Sequence, residues 1–90
     1  MDDEAKKKCE DKGNEYVQQG FKASLPLKAG SIKMVPAATV KIILGPGKGI
    51  VVVDGVDVFA EPHEAKVIDT KDKACYVYND AWLVYITEQG

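Results

Sequence analysis

Histidine is nearly missing from this chain: His63 is its sole member, and tryptophan also occurs once, as Trp82. Cysteine is scarce too, with Cys9 and Cys75 far apart in sequence. Zinc sites draw on clustered Cys and His pairs, so no metal centre is expected. Basic excess is also lacking, since twelve lysines and arginines stand against fourteen acids, a net charge of -2. That balance disfavours nucleic acid, because phosphate contacts need a positive surface. No apolar run reaches the roughly 18 residues that span a bilayer. The opening MDDEAKKKCEDKGNEY lacks the apolar core of a secretory signal. No membrane contact is expected, and no internal repeat is present.

The inventory for catalysis is equally thin. His63 stands between Glu61 and Glu64 just after Pro62, a context that reads as an exposed loop. Cys75 has no cationic helper nearby in sequence and reads as a packed, inert strand residue. Asp54 and Asp57 flank a turn and read as structural. The expectation is a chain without catalytic residues and without a cofactor.

What is present is organised in two parts. Ten of the first fifteen residues are charged, acids first and lysines after them. That order suits a short helix and its dipole. Residues 1–18 are expected to form a charged helix, frayed helix or arm, with Ala5, Cys9, Tyr16 and Val17 as a thin apolar stripe that Gly13-Asn14 interrupts. Residues 19–90 form the second part, a single β-rich domain; ninety residues leave no room for another core. Short runs rich in Val, Ile and Tyr alternate there with turn signals. They predict strands at 21–27, 31–35, 38–44, 49–53, 56–60, 64–69, 74–78 and 81–87. Many short strands at this spacing indicate a small antiparallel β-barrel or β-sandwich.

The stretch LGPGKGIVVVDGV, residues 44–56, raises the question of a phosphate-binding loop. Such a loop needs Ser or Thr after its lysine and a helix beyond it. Here Gly49 follows Lys48, and four β-branched or strand-forming residues come next. The stretch reads instead as a hairpin loop joining 40–44 to 50–53, its glycines supplying positive φ and Lys48 exposed at the tip. Asp54-Gly55 reads as a second, two-residue turn, with a bulge as the alternative.

The most informative stretch is ACYVYNDAWLVYI, residues 74–86. Asn79-Asp80 predicts a two-residue hairpin turn. In that register Cys75, Val77, Trp82, Val84 and Ile86 share one face, assigned to the core. The opposite face carries Tyr76, Tyr78, Leu83 and Tyr85 and is the candidate surface for a partner, because tyrosine is favoured at interfaces. The alternative is that both faces are covered within the monomer. Lys48 is added to the partner-binding set as a loop tip.

The residues PGKGIVVVDGVDVF, 46–59, resemble small β-rich bacteriophage virion domains, in which a Pro-Gly-Lys turn leads into a valine-rich strand pair. The resemblance implies a structural role in decoration, fibre or connector assembly, exercised through protein–protein contact and self-association. A second stretch, DTKDKACYVYNDAWL, is similar to late strands of secreted fungal β-sandwich effectors, which carry one disulfide. That likeness implies a Cys9–Cys75 bridge; the residues themselves read first as two reduced thiols, with the bridge as the alternative. The chain is thus read as a non-catalytic protein-binding or assembly module. Its partner is itself or another protein, and its place is a virion or the cytoplasm. The alternative is a secreted effector stapled by the two cysteines, and a lesser one is an SH3- or OB-like nucleic-acid binder.

Overall fold

The computed structural model describes residues 2–89. Helix α1, Asp2–Gln18, precedes nine strands: β1 Lys22–Ala23, β2 Leu27–Lys28, β3 Ile32–Met34, β4 Thr39–Leu44, β5 Ile50–Val53, β6 Val56–Phe59, β7 Lys66–Asp69, β8 Cys75–Tyr78 and β9 Trp82–Thr87. The strands form two antiparallel sheets. Sheet A has the order β1-β9-β4-β7, with β2 also paired to β9, and sheet B has the order β3-β8-β5-β6. The two sheets pack as a sandwich over an inter-sheet core of Ile42, Leu44, Val51, Ile68, Cys75, Val77 and Leu83. Each such buried aliphatic side chain contributes about 1.5–3 kcal/mol.

The helix is continuous across Gly13. Pairs at helical spacing support its exposed side, Glu4 with Lys8 at 3.6 Å, Lys7 with Asp11 at 3.3 Å and Lys12 with Glu15 at 3.3 Å. It ends in a Schellman motif. Gly20 takes φ 101°, the Phe21 N–H donates to Tyr16 O and the Gly20 N–H to Val17 O, each at 3.0 Å. The Phe21 ring meets the Tyr16 ring edge-on, with centroids 5.7 Å apart, which supplies the apolar contact of that motif. Gly13 does not interrupt the apolar stripe; it belongs to it. Ala5, Cys9 and Gly13 are buried one above another at four-residue spacing, so the helix lies close on sheet A. Val17, assigned to the stripe by its spacing, is exposed instead. A second core under the helix holds Cys9, Ile43, Val84 and Ile86, flanked by Tyr16, Phe21 and Trp82.

Every expected strand is present, the first divided in two by Ser24-Leu25-Pro26. There the Ser24 hydroxyl accepts the Tyr85 N–H and the Ser24 N–H donates to Tyr85 O, both at 2.9 Å. The Asp54-Gly55 turn is also as expected. Its residues take φ 52° and 80° and close a β5–β6 hairpin in which Val53 faces Val56.

Two expected hairpins are absent. β8 and β9 do not pair; they are one strand that bends from sheet B into sheet A at Asn79 and Asp80, with φ 71° and 53°. The pairing partner across the bend is the segment from β2 to β3. Leu27 faces Leu83 in sheet A, Ile32 faces Tyr78 in sheet B, and the register continues between them. The Ala29 N–H donates to Ala81 O at 2.9 Å and the Asp80 N–H to Gly30 O at 2.6 Å. β4 and β5 likewise lie in different sheets, joined by Gly45–Gly49, and flank β9 and β8 on the other side. Corners of this kind are how a strand serves two packed sheets.

The glycines of that corner have different duties from those expected. Only Gly47, at φ 134°, uses the left-handed region. A Cβ on Gly45 would come 3.0 Å from Cys9 Sγ and 3.1 Å from Ala5 O, so Gly45 is what lets the helix seat on sheet A.

Candidate functional site

Sheet A is covered on both faces, by the helix and by sheet B. Sheet B is covered on one. Its outer face is therefore left bare by the other elements, and period-2 alternation decides what it shows. Val51, Cys75 and Val77 point inward. The cross-strand row Ile32–Tyr78–Ile50–Phe59 points outward, and so does the row Met34–Tyr76–Val52–Asp57. Seven of these eight side chains are apolar or aromatic. Ile32, Met34 and Phe59 are 53%, 67% and 58% exposed, and Tyr76, Tyr78, Ile50 and Val52 are half-buried between them. Asp57 is the one charged member of the eight.

The residues expected at a partner surface are divided by the bend at Asn79-Asp80. Tyr76 and Tyr78 stand at the centre of the outer face of sheet B. Leu83 and Tyr85 do not join them. In a bent strand odd residues stay on one side, so Leu83 and Tyr85 follow Cys75 and Val77 into the inter-sheet core. Leu83 is fully buried and out of a partner's reach. The Tyr85 hydroxyl is buried without a protein partner, and burial raises its pKa. Trp82, Val84 and Ile86, expected to share the core with Cys75 and Val77, face the helix instead. Ile32, Ile50, Val52, Met34 and Phe59 complete the face but were not singled out by sequence. Their alternation was readable; which side would be covered was not.

Lys48 is exposed on the corner loop, and its carbonyl accepts from Asn79 Nδ2 at 3.3 Å. It lines a separate cleft of about 440 Å³ together with Glu4, His63, Asp80 and Trp82. Its carboxylates and its indole ring are already engaged. Lys8 pairs with Glu4, holding that carboxyl below its usual pKa, and donates to the His63 carbonyl. Lys28 pairs with Asp80 at 3.6 Å, and Asp80 also accepts the Gly30 N–H at 3.1 Å. The Lys6 and Lys28 ammonium groups lie 5.2 and 5.3 Å from the centre of the Trp82 ring, while its indole N–H is buried without an acceptor. Among the described residues no three His, Cys, Asp or Glu side chains assemble as a metal-ligand set.

The Cys9–Cys75 bridge is not made. Both thiols are free and buried, Cys9 under the helix and Cys75 between the sheets, in separate apolar layers. The Cys9 thiol donates weakly to Trp82 O at 3.5 Å, and burial pushes its pKa up to about 12. Burial raises that of Cys75 as well. A thiol reagent at pH 8 is therefore expected to find almost no reactive cysteine in the native protein and two after denaturation without reductant. Two rapid reactions in the native state would contradict the burial, and none after unfolding would mean a bridge.

The chain matches no protein-family model, no curated protein and no solved structure.

Proposed function

We propose that this chain is a non-catalytic assembly module that works by protein–protein contact through the outer face of sheet B. The observation that carries the reading is the bare, four-stranded face with one charge among eight side chains. Contiguous apolar patches of several hundred Å² on a soluble protein mark contact sites. The edges of sheet A are less suited. β7 is guarded by charges, including the Lys41–Asp69 pair at 2.6 Å, and the β1–β2 edge is broken at Ser24-Leu25-Pro26. A structural role of the virion type, implied by the resemblance at 46–59, agrees with this use, and Ile50, Val52, Asp57 and Phe59 of the face belong to that stretch. Nucleic acid suits the face less: tyrosines can stack bases, but the face holds no lysine to meet phosphate.

The test is the size of the labelled chain in an extract of the cells that produce it. Wild type is expected to sediment as a species well above its own 9.8 kDa. The double variant Met34→Lys, Phe59→Lys is expected to sediment as a free monomer with a melting temperature changed by only a few degrees, since both side chains are more than half exposed. Identical sedimentation of the two would sink the reading.

A further inference from the structure

We infer that the occupant of this face is a second copy of the chain, stacked sheet B on sheet B about a two-fold axis running along the strands between β5 and β8. The inference rests on the assembly reading above and adds the partner and its geometry. Charge is the first argument. The face holds Asp57 and no cation, so it has nothing with which to select a charged partner. It complements a surface as poor in charge as itself, and a second copy supplies one.

The arrangement of the rows picks the axis. With the axis along the strands, β3 of one copy lies over β6 of the other, and β8 lies over β5. Ile32 then meets Phe59 of the second copy, and Tyr78 meets Ile50, so aromatic rings pack on aliphatic side chains in both directions. The two Asp57 carboxylates fall on opposite edges, each beside Met34 of the other copy. An axis across the strands would instead lay β6 on β6 and bring both Asp57 residues to one edge of a desolvated layer, where like charges repel. Stacked sheets of this kind lie about 10 Å apart with strands within about 30°.

Area sets the strength. Three face side chains more than half exposed and four half-buried ones offer roughly 500 Å² per copy at ordinary side-chain sizes. A standard interface buries about 800 Å² per partner, so the dimer belongs to the weak class, with a Kd on the order of micromolar or above.

Sedimentation equilibrium of the purified chain from about 10 µM to about 1 mM tests this. The expected result is a mass rising from 9.8 kDa toward twice that value, with the rise lost in Met34→Lys, Phe59→Lys. Geometry is tested by a short bis-maleimide, to which the buried Cys9 and Cys75 are unreactive. A mixture of Ile32→Cys and Phe59→Cys variants is expected to cross-link between the two chains, and Ile32→Cys alone is not. A purified chain that stays monomeric while the extract species is large overturns the second copy and leaves the assembly reading standing. A dimer indifferent to the lysine variants, or cross-linking of Ile32→Cys to itself, overturns the proposed stacking.

Discussion

Replacing Gly49 by alanine is expected to lower the melting temperature by roughly 12–24 °C, from a loss of about 3 kcal/mol at 4–8 °C per kcal/mol for a domain of this size. The position does not need glycine for its φ. It needs the space: an added Cβ would fall well inside the van der Waals contact of Ala81 Cβ, and 3.0 Å from Leu44 Cδ1. Ala81 Cβ is anchored directly to the backbone of the second corner, so no flexible side chain can yield. Relief requires the Gly45–Gly49 and Asn79–Asp80 corners to separate, which unpacks both sheets where they join. Gly47→Ala is the comparison. Nothing lies within 4 Å of its Cβ position, so it carries only the backbone strain of φ 134°, about 1–2 kcal/mol. Thermal unfolding followed by circular dichroism measures both. Equal melting points for Gly49→Ala and wild type would refute this account of the corner.

Leu83→Ala is expected to cost about 3 kcal/mol, within the 2–5 kcal/mol usual for truncating a fully buried leucine. Tyr78→Ser should cost only about 1 kcal/mol, from cross-strand contact with Ile32 and Ile50 on an otherwise bare face. The two residues lie five apart in one aromatic-rich stretch, and a hairpin would put them on opposite strands with a different partition of faces. Denaturant unfolding separates the cases: a midpoint shift several times larger for Leu83→Ala supports the bent strand. Similar losses for both would mean that the outer face of sheet B is covered within the monomer.

The elements themselves were legible. Val-, Ile- and Tyr-rich runs between turn residues located all the strands, and Asp54-Gly55 identified the one two-residue hairpin correctly. The sheets were not legible, because a pair of left-handed residues serves a turn and a corner equally well. Asn79-Asp80 has φ values fit for a hairpin, yet it bends a strand because Gly30 and Ser31 supply its hydrogen-bond partners from the other end of the chain. The side-chain pattern holds a clue after the fact. Apart from Asn79 at the bend itself, odd residues from Cys75 to Tyr85 stay inside, whereas a hairpin pairs odd with even. Both patterns are apolar here, since sheet A is buried on two faces, so hydrophobicity alone could not choose. The outer face of sheet B was half visible, through Tyr76 and Tyr78. The remainder came from strands whose outward side depends on which sheet receives the helix.

The bent strand formed by β8 and β9 has a consequence for how the chain acquires its shape. Residues 75–87 are central in both sheets, and β1 to β5 all find hydrogen-bond partners on them, except for the additional pairing of β4 and β5 with β7 and β6. Most of the first half of the chain therefore closes on strands synthesised well after it. Loop closure over such separations is entropically costly before any contact rewards it. Folding should fall among the slow β topologies, on the millisecond-to-second scale. Until residues 75–87 leave the ribosome, α1 and β1 to β5 have no central strand to assemble on, and only the β5–β6 hairpin and the β4–β7 pairing are open to them, each marginal alone.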